Sequence, residues 1–160
     1  MQIYFVRHAE TVESAENLPD EMRYLSKRGR KQICKQAKNL KGHKVKPTLI
    51  LTSPLARAVQ TAELLAAELK TAQIVVHPSL LPDTEPDVIA EMITEIGPLK
   101  ALMVVGHDPQ LSAVAAQLLG YEHVSRFQKG SCLALSWKPG EHAAFMWSAT
   151  SNGKIRRHNR

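Results

Sequence analysis

The sequence predicts an α/β fold, a three-layer sandwich in which a mostly parallel sheet carries helices on both faces. Three observations predict it. Short apolar runs alternate with longer stretches of helical periodicity for most of the chain. The runs read as buried strands, which suits a sheet covered on both sides. And 160 residues with no repeat, low-complexity segment or linker are expected to form one domain with a sizeable core.

Ile3–Val6 reads as the first strand, and the polar stretch 11–24, with Pro19, as a loop. Ser26 is an N-cap candidate, and Ile33, Cys34, Ala37 and Leu40 form one helical stripe ending near Gly42. Leu49–Leu51 is the second strand. Thr52-Ser53-Pro54 then signals a helix start, with proline in or near the first turn. Leu55, Ala58, Val59, Ala62, Leu65, Ala66 and Leu69 keep a 3.6-residue period. Ile74–Val76 is a third strand. Val88, Ile89, Met92, Ile93 and Ile96 make a third helix, closed by Gly97-Pro98. Ala101–Val105 is a fourth strand, and Pro109 opens a helix with Leu111, Val114, Ala115, Leu118 and Leu119 on one face. Cys132–Trp137 and Ala143–Trp147 form a hairpin around Lys138-Pro-Gly-Glu141, and a basic tail runs from about residue 151.

Composition narrows the class. At 44% hydrophobic and 22% charged the chain is an ordinary globular protein. No run approaches the length of a membrane span, and no basic leader precedes an apolar stretch. A cytoplasmic protein, with no membrane partner, is expected. Cys34 and Cys132 lack metal-like spacing and are expected to be reduced thiols. The net charge of +6 is uneven: residues 22–62 hold eleven Lys and Arg and no acid. That asymmetry points to an anionic partner. No recognition motif accompanies it, so nucleic acid is not expected.

The chemistry lies at the strand ends. Strand one ends at Arg7-His8, strand two at Ser53 with Arg57 one turn on, and strand four at Gly106-His107. Ligands of open parallel sheets gather at the carboxyl ends of strands. Helices opening near Pro54 and Pro109 add N-terminal N–H groups that favour anions. Arginine forks onto phosphate oxygens. A neutral imidazole can attack phosphorus, and a second can donate a hydrogen bond to the phosphoryl group. Any one of these residues alone has a structural explanation; four at three strand ends point to a phosphate site. No carboxylate or third histidine shares these positions, since His43, His77 and His123 lie elsewhere, so neither a metal nor a cofactor is expected.

These residues resemble the histidine phosphatase (phosphoglycerate mutase-like) superfamily. Val6-Arg7-His8-Ala9-Glu10-Thr11 matches its opening motif, Ser53-Pro54-Leu55-Ala56-Arg57-Ala58-Val59-Gln60-Thr61 its second, and Val105-Gly106-His107-Asp108-Pro109 its late Gly-His segment. The short length and Arg23-Tyr24-Leu25-Ser26-Lys27-Arg28-Gly29 resemble the SixA-type phosphohistidine phosphatases. The resemblance implies a phosphoglycerate mutase-like fold with His8 as the phosphorylated nucleophile. It further implies Arg7 and Arg57 holding the phosphoryl oxygens, His107 completing the pocket, and Arg23 adding a substrate contact. Ser53 is placed with the substrate-binding residues, although shaping the turn suits it better.

The general acid stays open among Glu10, Asp83 and Glu85, with Asp20 also in reach. Larger family members take it from an insertion that is short here. A phosphoimidazole leaves well once its ring is protonated, so a site without a dedicated acid suits phosphohistidine better than a sugar phosphate. The expectation is a metal-independent phosphatase, monomeric, acting on phosphohistidine in a signalling protein, with phosphate or sulfate able to bind its site. The alternatives are a phosphomonoesterase for a sugar phosphate or nucleotide, and a phosphate-binding interaction module with little turnover.

Overall fold

Seven strands form one sheet in the order β3-β2-β4-β1-β5-β6-β7. The computed structural model describes residues 1–71, 73–97 and 99–157. The strands are β1 (Gln2–Arg7), β2 (Leu49–Thr52), β3 (Ile74–Val76), β4 (Ala101–Gly106), β5 (Cys132–Ser136), β6 (Ala144–Ala149) and β7 (Ile155–Arg156). The helices are α1 (Lys27–Gly42), α2 (Ala56–Leu69), α3 (Pro86–Glu95) and α4 (Gln110–Leu119).

The sheet is mixed. β3, β2, β4 and β1 pair in parallel, as the crossover pattern requires, while β5, β6 and β7 extend it antiparallel. The hairpin expected near the C-terminus supplies β5 and β6. The segment read as a tail instead adds β7, whose Ile155 and Arg156 pair with Ala149 and Ser148. The expected stop at Gly97-Pro98 is half described: Gly97 takes φ +80° after α3, and Pro98 lies outside the described residues.

Strand side chains alternate between two cores. Tyr4, Val6, Met103 and Val105 point into the layer built with α1 and α2. Ile3, Phe5, Leu102 and Val104 point into the layer built with α3 and α4. Crossover handedness explains the division. The chain moves outward from β1 through β2 to β3, placing α1 and α2 on one face. It then reverses to β4 and β5, placing α3 and α4 on the other.

Local chemistry fixes the helix starts. The Ser26 hydroxyl accepts from the Gly29 N–H at 3.0 Å, the N-cap expected for α1. α2 begins later than its proline suggested, because Ser53 Oγ accepts the Leu55 N–H at 3.3 Å and satisfies one early donor outside the helix. Gly29 permits a close approach: a Cβ there would lie 2.0 Å from the Glu10 carbonyl oxygen. The N-terminus of α1 therefore seats directly on the loop that follows β1. No described helix is long and apolar enough to cross a membrane, and both cysteines are free thiols.

Candidate active site

β1 and β4 are neighbours in register, Arg7 opposite Gly106. Their parallel pairing puts the two residues that follow, His8 and His107, side by side. The ring centroids are 5.2 Å apart and the planes are inclined at 57°. β2 lies on the far side of β4 and brings Ser53 and Arg57 to the same edge. His8, His107, Arg57 and Ser53 are all buried. The strand ends do converge, and one cluster holds both imidazoles and both arginines.

Each side chain is held by a specific partner. His8 Nδ1 lies 2.8 Å from the Ala9 carbonyl oxygen. A carbonyl can only accept, so Nδ1 carries the proton and Nε2 keeps its lone pair. His107 Nε2 lies 2.8 Å from Ser53 Oγ. Arg7 Nη1 donates to the Phe127 carbonyl at 2.6 Å, while its buried Nε has no partner among the described residues. Arg57 Nη1 donates to the Asp20 carbonyl at 2.7 Å and Nη2 to Asp20 Oδ2 at 3.1 Å.

Burial and positive neighbours keep the imidazoles neutral. Desolvation, then the charges of Arg57, Arg7 and Lys129, pull His8 from 6.5 to about 4 against the opposing bond to Ala9. His107 falls to about 3, from desolvation first and then His8 and the two arginines. Burial also lowers Arg7, opposed by Asp108. The result is a pair of uncharged rings in a positive field, a setting that favours an incoming anion.

The remaining sequence candidates fall into place unevenly. Arg23 turns inward, but its guanidinium is spent on the Val12 carbonyl at 2.7 Å, Thr11 Oγ1 at 2.6 Å and Asp20 Oδ1 at 3.0 Å. Glu10 accepts from the Ser26 hydroxyl at 3.1 Å and approaches Arg28 at 3.7 Å, so it serves the start of α1. Asp83 and Glu85 are exposed and have no described hydrogen bond or ion pair with the cluster. Asp20 bridges Arg57 and Arg23, and the Arg23 hydrogen bond is the main reason its carboxyl sits below the usual range. Among the described residues, no group of three His, Cys, Asp or Glu is arranged to hold a metal.

Sequence reasoning gave Thr61 no role. Its hydroxyl donates to the Arg57 carbonyl at 2.7 Å and accepts from the Ala9 N–H at 3.1 Å, tying α2 to the loop that carries His8. The i, i+4 spacing from Arg57 is the signal that places it on the same helix face.

Neutral imidazoles facing each other beside two arginines, at the carboxyl edge of a parallel sheet, define a protein built to handle phosphoryl groups. Comparison with known proteins gives the family. Residues 3–81 match the model of the histidine phosphatase superfamily (branch 1). An uncharacterized protein of Picosynechococcus sp. is 33% identical over 117 residues, 69% of this chain and 68% of that one. The chain belongs to the histidine phosphatase superfamily.

Solved structures show the same fold. The protein histidine phosphatase SixA, complexed with tungstate, superposes with a TM-score of 0.88 at 24% identity, covering 94% of this chain and 97% of that one. The α-ribazole phosphatase of Shigella flexneri gives 0.71 at 20% identity, covering 91% and 94%.

Proposed function

We propose that this phosphatase removes phosphate from phosphohistidine on a protein, through a phosphorylated His8 and without a metal ion. The observation that carries this is the state of His8. Its Nδ1 proton is committed to the Ala9 carbonyl, its ring is neutral at pH 7, and its unprotonated Nε2 belongs to the arginine-flanked cluster.

In the proposed sequence Nε2 attacks phosphorus in line. The N–P bond to the substrate imidazole breaks, and that imidazole leaves with its own proton. Water then attacks the His8–phosphoryl bond, releasing inorganic phosphate and restoring the neutral ring. Arg7 and Arg57 stabilise the oxygens at both steps, supplying the positive charge that a metal would otherwise bring. In this reading His107 is the Nδ1–H tautomer, accepting from Ser53 Oγ at Nε2 and donating to the phosphoryl group through Nδ1.

Three facts favour a leaving group that needs no placed acid. Glu10 is engaged at α1, Asp83 and Glu85 lie exposed, and Asp20 is held ionised between two arginines. Asp20 then has a different part: its carboxylate occupies the Arg57 guanidinium, and a phosphoryl oxygen takes its place on binding. The resemblance to SixA-type proteins over Arg23–Gly29 supports the same substrate class.

Fold similarity to an α-ribazole phosphatase supports a second reading, a small-molecule phosphomonoesterase. Turnover of a phosphohistidine peptide beside a panel of sugar, nucleotide and aryl phosphates separates them. The kcat/KM for the peptide is expected to exceed that of every sugar and nucleotide phosphate by at least about a hundredfold, roughly what a missing general acid costs an alkoxide leaving group; aryl phosphates, whose phenolate leaves unaided, serve as the control for an intact site. A sugar or nucleotide phosphate turned over as well as the peptide would overturn the proposal.

A further inference from the structure

The segment 124–131, between α4 and β5, walls two places at once. On one side it serves the catalytic cluster. The Phe127 carbonyl accepts from Arg7, the Gly130 N–H donates to the Arg7 and His8 carbonyls, and Lys129 contributes to the field on His8. On its other side it lines a separate cavity of about 760 Å³, floored by β5 and β6 and closed by the turn into β7.

The lining of this cavity is chemically one-sided. Phe127, Leu133 and Phe145 supply apolar surface, and Arg126, Lys154 and Arg156 supply charge. Arg157 adds another cation, and no acidic residue contributes to the lining. Those four cations are exposed, and none takes part in a salt bridge among the described residues. With no salt bridge among the described residues to offset them, these cations give the groove a positive potential that favours an anionic partner. β7 holds this arrangement in place, because its pairing with β6 fixes Arg156 at the rim.

We propose that this cavity is a docking groove for an acidic segment of the substrate protein, next to the phosphorylated residue bound at His8. The inference rests on the protein-directed reading above and extends it to the flanking sequence. Acidic side chains meet the rim cations, while apolar residues between them rest on Phe127 and Phe145. A bare polyphosphate has nothing to place on that floor. A nucleic acid backbone would want an open track of cations rather than a concave pocket with an apolar base. The shared wall lets one peptide reach both places, so groove contacts add to affinity without touching the reacting phosphorus.

Two phosphohistidine peptides of equal length, one with Glu- and Leu-rich flanks and one with Gln-rich flanks, test the groove on the full chain. The wild type is expected to favour the acidic peptide by about tenfold in kcat/KM, the gain that two or three exposed charge pairs can supply. Lys154→Glu with Arg156→Glu should abolish or reverse that preference, and leave phenyl phosphate hydrolysis unchanged because the ester does not extend to β7. The milder pair Lys154→Gln with Arg156→Gln serves if charge reversal impairs folding. No preference in the wild type, or a preference that survives the substitutions, would overturn the proposal.

A second arm stands apart from the catalytic reading. The unphosphorylated acidic peptide should bind the wild type with salt-sensitive affinity and lose that binding in either variant, whether or not phosphohistidine proves to be the substrate. Failure of both phosphopeptides to turn over would sink the protein-directed reading alone. Absence of charge-dependent peptide binding, or equal binding of a single-stranded oligonucleotide, would sink the groove.

Discussion

His8 and Asp20 carry the consequences that can be tested one side chain at a time. Unfolded, His8 titrates near 6.5; folded, at about 4. Between those values the unfolded chain binds more protons, so stability falls as pH drops from about 6.5, and the loss is complete below about 4. The shift corresponds to a loss on the order of 3 kcal/mol. His107 adds to it, but not independently, since His8 is one of the charges that depress it. Urea midpoints measured from pH 7 to pH 4 should fall less steeply for His8→Gln than for the wild type. Equal slopes would show that the buried ring is not the titrating group.

Asp20→Ala frees Arg57 of its resident carboxylate. The inhibition constant of inorganic phosphate should drop severalfold, by the free energy of an exposed ion pair of up to about 1 kcal/mol. A rise would mean that Asp20 holds Arg57 in position rather than competing for it. Arg7, His8, Arg57 and His107 were legible in the sequence because strand ends and polar residues coincide there. The bridge from Asp20 to Arg57 was not, since it spans 37 residues and depends on how an irregular loop folds back.

The helices show where local signals suffice. The Ser26 cap and the α1, α2 and α3 stripes each rest on residues within one or two turns, and the sequence revealed them. Gly29 closes the segment that carries the SixA-type resemblance, but its physical constraint was not legible, because it comes from Glu10, far back along the chain. Gly29→Ala should destabilise the protein by about 2 kcal/mol or more, since the backbone carbonyl it meets cannot swing aside as a side chain can. Thermal melting reads this directly, and an unchanged midpoint would mean that α1 can lift away from the loop at little cost. β7 escaped notice for another reason: two residues are too few to display a period, and its basic character reads as a solvated tail.

At the scale of the whole molecule, strand order converts scattered motifs into a site. β4 inserts between β1 and β2, so residues from the beginning, middle and later parts of the chain share one edge. The alternation of strands and helices gave the layers and the parallel half of the sheet. It could not give the neighbour of each strand, which follows from crossovers and core packing rather than from any local pattern. The same architecture concentrates positive charge around two uncharged rings, and the account depends on one of those rings accepting phosphate. A phosphate ester on serine would survive acid and an acyl phosphate on aspartate would be lost in alkali, whereas the N–P bond of phosphohistidine is acid-labile and survives alkaline conditions. The most direct measurement is therefore to quench the enzyme within its first turnovers of a phosphohistidine peptide and map the transferred group under alkaline conditions. A phosphoryl group is expected on His8, lost on acid treatment and absent from His8→Ala. Phosphate carried by His107 or any other residue, or full turnover by His8→Ala, would contradict it.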